Sequence, residues 1–295
     1  MTVGFWPNGA RVAVTISLMF ESGGHVRPDS GALGPLSGVP MPLEYPDLPT
    51  ETYFEYGYRA GIPRLLDLFD KHDIKVTSFM VGQAVERNPD VAREIAARGH
   101  ECAGHGWQWI PQYALPENEE RAMIRKSAEA ITRATGQTPV GWNCNALRGS
   151  VRTLDLLQEQ GFIYTIDDVS RDEPFVRELN GKPFVTIPYT LHANDLVCYE
   201  FQGMSTGSYS QLMKDEFDYL YAEGSKRRRM VVVSCHDRVI GRPARAKALD
   251  EFLTYAKGKP GVWFARKDEI ARYMLDQHRS GRAAGTAPVG AGARS

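Results

Sequence analysis

The chain has 295 residues, 42% of them apolar and 24% charged, with 35 basic and 36 acidic side chains and a net charge of −1. That is enough apolar chain for one large core, and the balanced charge excludes a nucleic-acid or membrane-surface binder that works through its overall field. The one basic run, Lys226-Arg227-Arg228-Arg229, precedes an apolar segment and reads as a solvated cap near a helix end. Cys102, Cys144, Cys198 and Cys235 are widely spaced with no C-x-x-C pair, which predicts reduced thiols in a cytoplasmic protein. The opening MTVGFWPNGA has no charged region followed by an apolar one, so no secretory signal is expected. No apolar run reaches the length of a bilayer span.

Taken in chain order, strand-like and helix-like segments alternate. Residues 12–20 (VAVTISLMF) are apolar and β-branched, the pattern of a buried strand. Residues 57–72 place Ile62, Leu65, Leu66 and Phe69 at helical spacing. Residues 75–81 predict a second strand, and 89–98 a helix with Asn88 as N-cap, Pro89 at its first position and Gly99 as its stop. A short strand is expected at 101–103, and helices at 117–135 and 150–160, each stopped by glycine. Strands at 162–166 and 183–187, a helix at 209–223, a strand at 230–235, a helix at 243–257, a strand at 262–265 and a helix at 267–277 complete the series. Seven or eight such units predict an α/β fold, a parallel barrel whether complete or incomplete, as a single domain over residues 1–278. Residues 21–58 are rich in Gly and Pro without periodicity and read as a long functional or subunit-packing loop. Residues 279–295 read as a disordered tail.

In a barrel of parallel strands, reactive groups stand at strand C-terminal ends. That rule selects Glu21, His105, the pair Asp167-Asp168, and His236. Two imidazoles and several carboxylates on one rim suit hydrolysis: a carboxylate activates water, and an imidazole protonates a leaving nitrogen or steadies an oxyanion. Each has a plain structural alternative. A Glu or Asp after a strand often caps a turn, and His236 in VVVSCHD could be a satisfied core histidine.

The segments EYGYRAGIPRLLDLFDKHDIKVTSFMVG, GHECAGHGWQW, GFIYTIDD, PYTLHAND and HDRVIGRPARAKALDEFL, in this order from about Val12 to about Tyr273, resemble the polysaccharide deacetylase family. More closely they resemble its cytoplasmic branch, which includes an allantoinase, cyclic imide hydrolases and a peptidoglycan-deacetylase-like protein. The resemblance implies a distorted barrel of about seven strands. In the family's deacetylases it also implies a divalent metal held by one carboxylate and two histidines of an H-x-x-x-H segment, with an Asp near the end of strand one as base. Here His105 matches the first histidine, Trp109 replaces the second, Glu21 matches the metal-binding carboxylate, and Met19 stands where the base would be. Catalytic zinc usually takes three protein ligands. Glu21 and His105 are therefore metal ligands only if a metal such as zinc is present, with His236 or His25 as a third; the alternative is an enzyme that works without one.

The GHGWQW segment, the Asn194-Asp195 pair and the RVIGRP turn resemble the allantoinase-type members. Trp107 and Trp109 are expected to wall a pocket for a small planar ring, with core packing as the alternative. The resulting expectation is a hydrolase of a non-peptide C–N bond that opens a small cyclic amide, imide or ureide. Its catalytic residues are Glu21, His105 and His236, and its substrate-binding residues are Trp107, Trp109, Asp168, Asn194, Arg238 and Arg242. Glu21, alone or with His105, activates water; Arg238, Arg242 or backbone amides hold the oxyanion; and His236 protonates the departing nitrogen. The alternatives are a metal-dependent N-deacetylase of an N-acetylated carbohydrate and a catalytically inactive barrel that binds ligand. The expected partners are a small-molecule substrate and further copies of the chain in a dimer or tetramer, with no nucleic acid and no membrane.

Overall fold

All nine side chains of β1 (Val12–Phe20) are buried, as a near-continuous apolar run requires of a central strand covered on both faces. Its two faces serve different cores. Val12, Val14, Ile16, Leu18 and Phe20 pack outward into the layer beneath the helices, whereas Ala13 and Met19 point into the barrel with Phe79, Ala103, Ile166 and Val232. A computed structural model of the protein describes residues 4–25, 42 and 44–281.

Around β1 stand β2 (Thr77–Met80), β3 (Glu101–Gly104), β4 (Gly141–Trp142), β5 (Tyr164–Thr165), β6 (Phe175–Leu179), β7 (Lys182–Thr186), β8 (Met230–His236) and β9 (Val262–Phe264). The strand order is β6-β7-β5-β4-β3-β2-β1-β8, with β9 paired to the start of β1. Every pairing is parallel except the β6–β7 hairpin. The helices are α1 (Leu48–Tyr56), α2 (Ile62–Lys71), α3 (Gly82–Arg87), α4 (Pro89–Ala97), α5 (Glu117–Thr135), α6 (Thr153–Glu159), α7 (Thr206–Glu223), α8 (Pro243–Lys257) and α9 (Lys267–Arg279). This is the expected distorted α/β barrel.

The sheet leaves a seam between its edge strands β6 and β8, and irregular chain closes it. Ser234 N donates to Ala193 O at 2.9 Å, Met230 N donates to Asp172 O at 2.9 Å, and Asn194 forms a parallel bridge with Ser234. The Tyr189 and Ser234 hydroxyls bond to each other across the same seam. Among the described residues no helix is long and apolar enough to cross a membrane.

Several expectations need correction. The stretch read as an irregular loop over residues 21–58 contains α1, capped by Asp47, whose side chain accepts from Thr50 N at 3.2 Å; residues 26–41 and 43 lie outside the described residues. The helix expected at 57–72 begins as a π-turn, Gly57–Gly61, before α2. Asn88 holds the N-cap position of α4 but makes no side-chain cap; its amide donates to Ala84 O instead. The basic run is not wholly solvated: Arg229 is buried and paired with Glu173 and Glu223, and Arg228 lies over Trp6. Of the expected tail, Arg279 ends α9 and the residues past Gly281 lie outside the described ones. All four cysteines are buried and unbridged.

The N-terminal end of the barrel holds a buried polar group that the site does not use. Lys267, the first residue of α9, is fully buried; its Nζ donates to Thr15 Oγ1 at 3.2 Å. Glu101 accepts from Thr77 Oγ1 at 2.6 Å, Tyr164 OH at 2.8 Å and Asp268 N at 2.9 Å. Burial pushes the Lys267 amine down to about 7, and burial with the nearby Asp268 charge pushes Glu101 up to about 7. Above that pH the folded lysine has released a proton that the unfolded chain still binds, so this residue makes stability rise with pH from about 7 to about 10. In urea unfolding across that window, Lys267→Met is expected to flatten the rise and to be at least as stable as the wild type at its lower end. An unchanged slope in the variant would show that Lys267 does not titrate there.

Candidate active site

The pleat carries three strand ends into one place. Glu21 is the first residue past β1, His105 the first past β3, and His236 the last of β8. Strand alternation turns each toward the barrel axis with Met19, Ala103 and Ser234 below them. Glu21 Oε1 lies 3.2 Å from His105 Nε2 and 3.8 Å from His236 Nε2. Its other oxygen accepts from Arg238 Nη1 at 2.6 Å. All four side chains are buried.

Each imidazole is fixed by a different partner on its far nitrogen. The Asn143 carbonyl, at the end of β4, lies 2.9 Å from His105 Nδ1. A carbonyl only accepts, so Nδ1 carries a proton and Nε2 is the atom presented to Glu21. His236 Nδ1 lies 2.6 Å from Asp195 Oδ1, and Asp195 also accepts from the backbone N–H groups of His236 (2.8 Å) and Ile240 (2.9 Å). Burial alone would favour neutral His236, but the charges of Asp195 and Glu21 outweigh it and raise its pKa above the ordinary histidine value. For Glu21, burial alone would favour the acid. Arg238, then His236 and His105, reverse this and hold its carboxyl well below the usual carboxylate range.

Asp237 forms the floor. Its Oδ2 accepts from Glu21 N at 3.2 Å and Ser22 N at 3.0 Å, and its Oδ1 from Arg238 N at 2.7 Å. The π-turn presses against this floor. A Cβ on Gly57 would collide with Ser22 Oγ and the Asp237 carboxyl, and one on Gly61 with the Asp237 carbonyl. The motif GYRAG therefore needs its two glycines for close approach. Trp109 and Phe54 make an aromatic wall: their rings meet edge to face at 6.5 Å, and the Arg238 guanidinium carbon lies 5.6 Å and 4.6 Å from their centres.

Of the residues singled out from sequence, Glu21, His105, His236 and Arg238 converge, with Trp109 beside them. The others are engaged elsewhere. Trp107 packs on Gly82 and under the Lys126 ammonium, 3.6 Å from its ring centre, which is the core-packing alternative. Asp168 caps its own turn at Ser170 N (2.9 Å) and pairs with Arg177 at 2.9 Å. Asn194 is held by Tyr189 OH and Val197 N at the seam. His25 stacks on Phe54 at 3.9 Å with its Nε2 3.3 Å from Glu51. Arg242 lies over Tyr56. Asp195, Asn143, Asp237 and Phe54 were not singled out as site residues. Asp195 had a signal, a carboxylate beside Asn194 in YTLHAND, and Asp237 adjoins His236; Asn143 follows a two-residue strand without any pattern.

These residues do not fit a metal centre. The carboxylate charge of Glu21 is already matched by a buried guanidinium, and a dication there would stand beside both Arg238 and His236. The indole of Trp109 offers no lone pair where a histidine would. Among the described residues no group of three or more His, Cys, Asp or Glu side chains could hold a metal ion. The reading of Glu21 and His105 as metal ligands thus loses its support.

Comparison with known proteins agrees with this fold. The family model described as Polysaccharide deacetylase matches residues 50–165. A Schizosaccharomyces pombe relative, assigned to the polysaccharide deacetylases, is 31% identical over 92% of this chain and 93% of its own. The peptidoglycan deacetylase of Helicobacter pylori is 25% identical over 74% of this chain and 85% of its own. Two solved structures superpose with TM-scores of 0.85 at 37% identity and 94% coverage of this chain. One is a probable polysaccharide deacetylase of Pseudomonas aeruginosa PAO1, covered over 94% of its length; the other is the Puue allantoinase, covered over 93%.

The electrostatics of His236 can be read without a substrate. In a histidine-selective NMR titration His236 is expected to lose its proton above the ordinary histidine pKa, and Asp195→Asn to lower that midpoint, because the carboxylate is what stabilises the imidazolium. A wild-type midpoint below the ordinary value would contradict this electrostatic picture.

Proposed function

Because the chain belongs to the polysaccharide deacetylase family, whose members hydrolyse non-peptide C–N amide bonds, we propose that it opens a small cyclic amide, imide or ureide without a metal. The observation that carries this reading is the 2.6 Å contact between Arg238 and Glu21. It supplies, from the protein itself, the positive charge that a metal would bring to this carboxylate. The Trp109–Phe54 wall supports a flat apolar ring as substrate, and so does the likeness to the Puue allantoinase.

The two histidines divide the work by their partners. His105, with a proton held at Nδ1 by the Asn143 carbonyl, brings Nε2 to the site and takes a proton from water there; the Glu21 oxygen at 3.2 Å accepts from the imidazolium that forms. Glu21 itself is too weak a base for that task, which moves the role expected of it onto His105. The water oxygen bonds to the ring carbonyl carbon. Arg238 Nε, buried and without an acceptor among the described residues, is placed to donate to the oxyanion. His236, charged through Asp195, gives its Nε2 proton to the nitrogen as the C–N bond breaks. The product keeps both halves in one molecule, a carboxylic acid and an amine or amide. In this reading the enzyme is cytoplasmic, forms a homo-oligomer and uses no partner beyond its substrate.

A second reading, hydrolysis of an N-acetyl group, is favoured by the likeness to the H. pylori peptidoglycan deacetylase. A panel of hydantoin, dihydrouracil, succinimide, phthalimide, allantoin and N-acetylglucosamine oligomers separates the two. The expected result is ring opening that survives chelator, with His105→Gln and His236→Asn each lowering kcat on the order of 10²-fold or more. Acetate release that chelator abolishes would select the second reading. Tight binding with no turnover of any compound would select a catalytically inactive barrel.

A further inference from the structure

Four residues beyond Arg238 lies a second group of donors that the proposed chemistry leaves idle. Arg242, half-buried at the start of α8, has its guanidinium carbon 3.6 Å from the Tyr56 ring centre and 5.8 Å from that of Tyr53. Arg64 Nη1 donates to the Tyr56 hydroxyl at 2.9 Å and also to the Gly241 carbonyl, which pins the stack from behind. The arginines on either side are neutralised: Arg238 by Glu21 and Arg245 by Glu200 at 2.7 Å. Arg64 and Arg242 have no carboxylate partner among the described residues. The Tyr53 hydroxyl is buried and has no hydrogen-bond partner among the described residues. Burial pushes its pKa up to about 12, so it remains a donor at any working pH.

Unmatched, half-buried guanidinium groups and an orphaned buried hydroxyl are costly unless something accepts from them. The guanidinium groups only donate and the Tyr53 hydroxyl can donate as well, so an acceptor satisfies all of them, and the two uncompensated positive charges call for an anion. The planar fork of Arg242, held flat on Tyr56, matches a carboxylate. Tyr53 precedes Phe54 of the aromatic wall and feels the charges of both Arg238 and Arg242, which ties this group to the rim of the same site.

We propose that Arg242, with the Tyr53 hydroxyl beside it and Arg64 behind it, binds a carboxylate carried by the substrate, so that the ring opened at Glu21, His105 and His236 is an acidic one. For the reaction this rests on the ring-opening reading; for the binding it does not.

Matched substrates differing only in a carboxylate test it: 5-oxoproline against 2-pyrrolidinone, dihydroorotate against dihydrouracil, and hydantoin-5-acetate against hydantoin. Where a pair is turned over, the acidic member is expected to lead by about tenfold or more in kcat/KM, the worth of one charge-assisted contact. Arg242→Gln should erase that lead through KM with kcat little changed, and Arg242→Lys should keep part of it. Binding of N-carbamoyl-L-aspartate, followed by calorimetry, is the arm that needs no turnover; Arg242→Gln and Tyr53→Phe should each weaken it. If no ring is opened but this binding still depends on Arg242, the ring-opening reading falls and the carboxylate site stands. Neutral substrates preferred over acidic ones, or binding indifferent to Arg242→Gln, would overturn the site. So would a change of oligomeric mass in that variant without a change in carboxylate binding, since it would mean that an acidic side chain of a second copy is the partner.

Discussion

The buried pair of Glu21 and Arg238 is the constraint on which the rest of the site depends. A carboxylate at the bottom of a closed barrel is tolerated only with a compensating charge, and here that charge is a guanidinium with 2% of its surface exposed. Such a pair adds little net stability, but removing one partner strands the other and costs about 3–5 kcal/mol. Its value is positional. Arg238 keeps Glu21 ionised, and an ionised Glu21 lets two imidazoles face it and carry charge by turns. Asp237 then holds the backbone of both partners, and the glycines of the π-turn let the chain come close enough to cover it.

Two substitutions relative to the metal-dependent pattern fall into place around this pair. Trp109 stands where a ligand histidine would and contributes a ring face over Arg238. Met19, two residues before Glu21 on the same face of β1, joins the apolar interior beneath it. Both changes remove a polar group from the neighbourhood of a carboxylate whose needs Arg238 already meets. One polar line runs from Asn143 through His105 and Glu21 to His236 and Asp195, with Arg238 and Asp237 beneath its centre.

Much of the fold was legible because its long elements obey one period. β1, β8, α5 and α8 are continuous runs with clear ends and lie where the pattern puts them. β4 is two residues long, too short for any period, and β6 is a half-exposed strand with charged residues. α1 carries aromatic, proline and threonine residues with little amphipathic character, so it read as loop. The strand-end rule found three of the central residues because register alone decides what stands past β1, β3 and β8. It also chose Asp168, which stands past β5 but is consumed by Ser170 and Arg177. No local rule could have paired Glu21 with Arg238, 217 residues away, or assigned Asp195 rather than Asn194 to His236. Those facts belong to tertiary contact.

The seam between β6 and β8 gives this arrangement a further meaning. The chain that closes it is the chain that delivers Asp195: Ala193 and Asn194 bridge Ser234, and the next residue charges His236. Closing the barrel and setting a carboxylate against His236 are thus one structural event: the chain that seals the seam is the chain that supplies one of the two charges raising the pKa of this imidazole.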